Sequence, residues 1–199
     1  MVEMLVVVTI SAVLAMVGVP MYTQTLASYR LDSEVNALVG DLQYARSEAI
    51  KQGTTVVMCV STNLTSSSPS CTSNSSNNNW AAGHLVAVNP PSQTGTTGTS
   101  IQLPVLRQLT AFSGSDTVYG QFVGGGNNVT AIQFNRDGFA GTPSTTTWNG
   151  FSSLTANVFL KVKPATNLPG AGKCIAISVV GQIQVVPING YDNSNDQCS

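Results

Sequence analysis

One segment near the start of the chain limits what the rest can be. Residues 4–19 read Met-Leu-Val-Val-Val-Thr-Ile-Ser-Ala-Val-Leu-Ala-Met-Val-Gly-Val, with no charged side chain among them. With its flanking residues, this stretch approaches the roughly 20 apolar residues that a helix needs to cross a bilayer. A cleaved secretory signal is the alternative. Such a signal opens with a basic segment and closes on a small-residue cleavage site. Here Met1-Val-Glu precedes the run and a helical pattern follows it, so retention in a membrane is expected.

Glu3 stands at the tip of this apolar run. An ionised carboxylate there is costly unless it is paired or reaches the interface. As a bland role, it serves as an acid at a helix N-terminus, favoured by the macrodipole. Thr9 and Ser11 can bond back to the preceding turn. Gly18 and Pro20 mark a helix kink or local melt, because Pro20 lacks a backbone donor and clashes with the carbonyl four residues earlier.

Past Pro20 the pattern changes from uniformly apolar to striped. Leu31, Val35, Leu38, Leu42, Ala45 and Ala49 recur at alternating spacings of four and three, one face of a second helical stretch. The opposite face carries Arg30, Asp32, Glu34, Gln43, Arg46, Ser47 and Lys51. Gly53 stands where a C-terminal cap belongs, so the helix is expected to end near Gln52. Joined end to end, about 50 residues at about 1.5 Å each make a rod of about 75 Å, far longer than a membrane requires.

From Thr54 onward the helical period is replaced by short runs rich in Val, Ile, Thr and Phe between Gly, Pro, Asn and Ser clusters. Strands are predicted over residues 54–61, 84–88, 101–110, 117–123, 129–135, 157–163, 174–180 and 182–188, the last two forming a hairpin about Gly181. The unbroken apolar run Val56 to Val60 suggests a strand covered on both faces, with the helix stripe as one cover. Residues 61–79 are almost all Ser, Asn and Thr, and are read as a long exposed loop.

Composition supports an exported chain. Charged residues are 9% of the 199, against about 25% in ordinary soluble domains. Cys59, Cys71, Cys174 and Cys198 fall into two sequence-local pairs. Four cysteines allow several connectivities; the favoured one joins Cys59 to Cys71 and Cys174 to Cys198. Zinc is disfavoured, since neither pair has knuckle spacing and the single histidine, His84, is remote in sequence. No metal and no cofactor is expected.

The net charge of -1 supplies no field to gather nucleic acid or an acidic substrate. Enzymatic equipment is missing: there is no Gly-x-Ser-x-Gly elbow, no P-loop, and no visible pairing of acids such as Asp116 and Asp137. Asp192-Asn-Ser-Asn-Asp196 lacks the glycine and distal Glu of an EF-hand, and Gly124 to Gly126 reads as a flexible turn. Asn63-Leu-Thr, Asn74-Ser-Ser and Asn128-Val-Thr match a glycosylation pattern too short to carry weight in an Asn-rich chain. Lys161 and Lys163 alternate onto one strand face with Lys173 nearby, a weak basis for DNA binding.

The opening Met1-Val-Glu-Met-Leu-Val-Val-Val-Thr-Ile-Ser-Ala resembles the N-terminal signature of type IV pilins and pseudopilins, with Glu3 matching the signature Glu. Asn36-Ala-Leu-Val-Gly-Asp-Leu-Gln-Tyr-Ala-Arg-Ser-Glu-Ala-Ile-Lys-Gln-Gly, then Val56 to Val60 and Trp80-Ala-Ala-Gly, resemble the GspH/FimT branch. Phe134-Asn-Arg-Asp-Gly and Ile177-Ser-Val-Val-Gly-Gln-Ile-Gln resemble its later landmarks. The family's leader and Gly-Phe-Thr do not precede Met1, which suggests a start codon placed too far downstream. His84 replaces an aromatic common after the Trp motif and is expected to be a polar-tipped packing residue. Gln182 and Gln184 stand where DNA-binding relatives carry arginines.

The resemblance implies an α+β, pilin-like fold. Residues 1–22 would be the membrane and assembly helix, 23–52 the amphipathic helix on the sheet, and 53–199 an antiparallel β domain. It implies a non-catalytic minor pilin in the bacterial inner membrane, single-pass, its β domain in the periplasm, later incorporated into a pilus for biogenesis, priming or tip function. The alternatives are minor pseudopilin H of a type II secretion pseudopilus and a DNA-binding minor pilin. Implied partners are other pilins or pseudopilins, the inner-membrane assembly platform and, if the true start lies upstream, prepilin peptidase, with DNA only weakly supported. Glu3 would pair with the N-terminal amine of a neighbouring subunit.

Overall fold

The computed structural model describes residues 2–67, 69–72, 78–89, 101–112, 114, 116–123, 128–143, 151–165, 172–188 and 198. Gly124 to Gly126, Asn74 and Asp192 to Asp196 lie outside the described residues.

A single α-helix, α1 (Val2–Gln52), runs without a break through Gly18 and Pro20. It stops where Gly53 takes φ +65°, a left-handed conformation that costs glycine nothing and that the next residue of a helix cannot extend. The predicted stripe is the buried one: Leu31, Val35, Leu38, Leu42, Ala45 and Ala49 are each at most 2% exposed. Full burial of a leucine is worth about 1.5–3 kcal/mol relative to exposure, so this row alone secures the distal helix.

The helix stripe packs against strands that share its core. β1 (Val56–Val60) is buried along its whole length. It pairs antiparallel with β3 (Gly83–Val88), which follows a 3-10 turn at Trp80–Ala82, and with β7 (Ala131–Phe134). β5 (Val105–Thr110) extends the sheet beyond β3, while β8 (Ala140–Pro143) and β9 (Phe151–Ser153) extend it beyond β7, giving the order β5-β3-β1-β7-β8-β9. A second sheet, β12-β11-β10-β6, is built from β6 (Thr117–Phe122), β10 (Val158–Lys163), β11 (Lys173–Ile177) and β12 (Ile183–Pro187).

Val56, Met58, Val60, Ile132 and Phe134 from the first sheet and Val158, Leu160, Val162, Ile175 and Ile177 from the second close one core around α1. The other face of β1 presents Val57 and Cys59 to a smaller cluster with Cys71, Leu85 and Leu103. That two-sided burial explains why the run never alternates.

All eight predicted strands are present; most are shorter than predicted, while β3 begins one residue earlier, at Gly83. The predicted run 101–110 is divided into β4 (Ile101–Gln102) and β5, because Pro104 has no N–H for a ladder. The final hairpin turns over Ser178 to Gln182 rather than at Gly181 alone, held by Ser178 N–H to Gln182 O and Gly181 N–H to Ser178 O.

Three short strands escape the sequence reading: β8, β9 and β2 (Ser70–Cys71). β2 corrects the expectation of a wholly exposed loop over 61–79. Asn63 accepts from Ser70 N–H and donates to Ser70 Oγ, β2 pairs with β4, and Ser70 and Cys71 are buried. The bond from Cys59 to Cys71 (Cα–Cα 5.5 Å) pins this segment to β1, and Cys174 to Cys198 (Cα–Cα 5.9 Å) ties the end of the chain to β11.

Candidate functional site

The proximal half of α1 is a bare apolar rod. Val2, Leu5, Leu14 and Met16 are exposed, and so are Leu26 and Tyr29 farther along. Its most apolar 18-residue window has mean hydropathy 2.4, and none of that window is buried within the chain. No element of the described β domain covers it.

Three of its hydroxyls turn back to the helix itself. Thr9 Oγ1 donates to Val6 O at 2.9 Å and Ser11 Oγ to Val7 O at 2.8 Å; Thr25 Oγ1 donates to Met21 O at 2.9 Å. Each hydroxyl is thereby satisfied without water, which an apolar environment requires. Glu3, at the tip, is the one acid in the helix's first turn. A hydrophobic rod with hydroxyls bonded to its own backbone and one terminal acid is suited to lipid or to other apolar helices.

Where α1 enters the β domain, ionic contacts replace apolar exposure. Arg30 donates from Nε to Asp116 Oδ2 and from Nη2 to Asp116 Oδ1, both at 2.9 Å, and Ala165 N–H donates to Asp116 Oδ1 at 2.8 Å. Burial pushes Asp116 upward, but the hydrogen bonds from Arg30 and Ala165 and the guanidinium charge hold its carboxyl below the usual range. The hydrogen bond to Asp116 raises Arg30 in turn. Lys173, at the start of β11, reaches Asp32.

Midway along the packed half, Asp41 and His84 are both 1% exposed, with Nε2 and Oδ2 2.8 Å apart. Arg107 Nη1 lies 3.0 Å from Asp41 Oδ1, an ion-pair contact without hydrogen-bond alignment, and the guanidinium sits over the Tyr44 ring. His84 also packs near Trp80 and Phe112. It is a packing and pairing residue, as its position after the Trp motif suggests.

At the far end Arg46 Nε donates to Gly138 O at 3.1 Å and Nη2 to Val180 O at 3.3 Å, holding two turns against the helix. Gly181 takes φ +76°, and a Cβ there would overlap Gly138 O. The separate landmarks Asn135 to Gly138 and Ile177 to Gln184 therefore meet at one place. Trp80, the third, donates its indole N–H to Val129 O at 2.9 Å from a fully buried position.

The other residues singled out by sequence do not converge. Asp116 serves Arg30, whereas Asp137 belongs to the turn in which Asn135 Oδ1 accepts its N–H. In the register of the second sheet Lys173 stands opposite buried Val162, facing the helix, so it does not share a surface with Lys161 and Lys163. Gln182 and Gln184 are exposed. Among the described residues no group of three or more His, Cys, Asp or Glu side chains is placed to hold a metal. A cleft of about 290 Å³ beside Thr54, Asn89 and Arg136 has neither histidine nor cysteine in its lining.

A long helix, apolar and bare at one end and packed on antiparallel sheets at the other, defines a pilin-like subunit. Residues 34–181 match the family model described as type II transport protein GspH, and the chain belongs to that family. Two crystal structures of the Pseudomonas aeruginosa type IV minor pilin FimU are similar to this chain, and the first shows the same fold. One is 20% identical, with TM-score 0.50 over 83% of this chain and 92% of that one. The other is 19% identical, with TM-score 0.46 over 82% and 92%. Among curated proteins none matches.

Proposed function

We propose that this chain is a non-catalytic minor pilin of a type IV pilus. Residues 1–22 hold it in the bacterial inner membrane, with the β domain in the periplasm, and the same residues then enter a bundle of neighbouring subunits' helices. The observation that carries this reading is an apolar helical window with none of its surface buried inside the chain and an acid at its tip. Such a surface needs lipid before assembly and other helices after it. Gly18 and Pro20 give the rod a point of compliance during that transfer.

Within the bundle Glu3 pairs with the positive N-terminal amine of an adjacent subunit and sets the register. Removing one partner of such a desolvated pair leaves the other charge uncompensated, whereas a more apolar segment inserts into the membrane at least as well. In cells carrying the native assembly machinery, Glu3→Ala is expected to leave the chain in the membrane fraction at wild-type level and to remove it from sheared fibres. Wild-type incorporation of Glu3→Ala would overturn the role.

The second reading, a minor pseudopilin of type II secretion, is favoured by the family description itself. The same experiment separates them, since the chain would then co-purify with the secretion pseudopilus and be absent from pili.

A further inference from the structure

Glu34 occupies the first turn of α1 that the β domain covers and is 6% exposed. Neither of its oxygens meets a hydrogen-bond donor. Glu34 interacts with the Asp116 carboxyl group, which already accepts from Arg30 twice and from Ala165 N–H. Gly114 lies close against Arg30 and Asp116: a Cβ there would stand 2.8 Å from Arg30 Cζ and 2.9 Å from Asp116 Oδ2. The other cation at this level, Lys173 of β11, engages Asp32 instead.

Two carboxyl groups thus lie together in a buried place beside one guanidinium, and its hydrogen bonds go to Asp116. Both cannot ionise at ordinary cost, and the group without donors is the one that keeps a proton. A protonated Glu34 also gains what it otherwise lacks, because its O–H can donate to Asp116.

We propose that Arg30, Glu34 and Asp116 form a proton-linked latch that holds the emerging turn of α1 on the β domain while Glu34 is protonated and loosens it when that proton leaves. Burial first, then the Asp116 charge and the hydrogen bond to it, push Glu34 up to about 7, with Arg30 opposing. A carboxyl raised on folding contributes stability that is complete below its unfolded value and is lost as pH rises through the folded one. The window therefore runs from about 4.5 to 7 and above, and Asp116, shifted the other way, acts only in more acidic solution. The attitude of the bare helical half relative to the β domain becomes sensitive to pH near neutrality. The latch is a property of the subunit and stands apart from which fibre it joins.

The test uses the full chain in detergent micelles. The Glu34 side-chain carboxyl is followed by carbon-13 NMR against pH, assigned through its own backbone, so that no variant is needed. A midpoint near 7 is expected, a proton affinity at least about a hundredfold above that of an ordinary glutamate. In parallel, thermal unfolding of wild type is expected to move to lower temperature between pH 5 and pH 8, while Glu34→Gln, neutral throughout and able to donate to Asp116, stays level. An ordinary midpoint near 4.3, or the same pH slope in Glu34→Gln as in wild type, overturns the proposal.

Discussion

In the proximal half of α1, Leu5 is 66% exposed, Leu14 68% and Met16 83%, whereas in the distal half Leu31 is 1% exposed and Leu38 and Leu42 are fully buried. Both halves are helical and leucine-bearing, and the helix does not break between them. They differ in how the apolar residues are distributed. The proximal half is apolar all round, which suits a solvent of lipid or neighbouring helices, whereas the distal half confines its apolar residues to one stripe that a sheet can cover. Their polar groups divide likewise. Thr9 and Ser11 bond within their own helix, while Arg30, Asp41 and Arg46 reach the β domain.

The sharpest break in this comparison comes from removing a charge that only the distal half can support. Asp41→Ala would leave His84 and Arg107 facing an empty, buried position and is expected to cost about 3–5 kcal/mol, measured by denaturant unfolding of the full chain in micelles. Next, the same truncation can be made in both halves. Leu42→Ala is expected to cost about 2–5 kcal/mol, and Leu14→Ala within about 0.5 kcal/mol of nothing in the isolated subunit. A sizeable cost at Leu14 would mean that the proximal rod is packed against its own domain. A further comparison concerns the crosslink that ties the end of the chain to β11. Cys174→Ser with Cys198→Ser opens a crosslink spanning 24 residues and is expected to lower stability by about 3 kcal/mol without altering membrane retention.

How far the sequence could be read depended on the distance to each residue's partner. The stop at Gly53, the stripe Leu31 to Ala49 and the two-sided burial of Val56 to Val60 are local patterns, and the structure has all three. Ala140–Pro143 and Phe151–Ser153 carried no legible strand pattern, because they are short, hold Gly, Pro or Ser, and become strands only through pairing with β7 and with each other. Asp116 and His84 were both visible as isolated polar residues. Their partners, Arg30 and Asp41, lie 86 and 43 residues away, and no spacing rule connects them. A signal was present for Asp41, an acid between Leu38 and Leu42 on the buried side of an otherwise apolar stripe.

By itself the sequence determined that this protein has one long helix, that the helix changes character beyond Pro20, and that a cysteine-tied β domain follows. Helix periodicity, caps and strand runs are set by residues within a few positions of one another. Only the tertiary structure decided that Lys173 turns to Asp32 rather than to a lysine face, and that Arg46 gathers two distant turns at Gly138 and Val180. It alone placed a buried Glu34 beside Asp116 with no donor of its own. These depend on sheet register and on the approach of helix to sheet, which many weak contacts settle together and no single stretch of chain encodes.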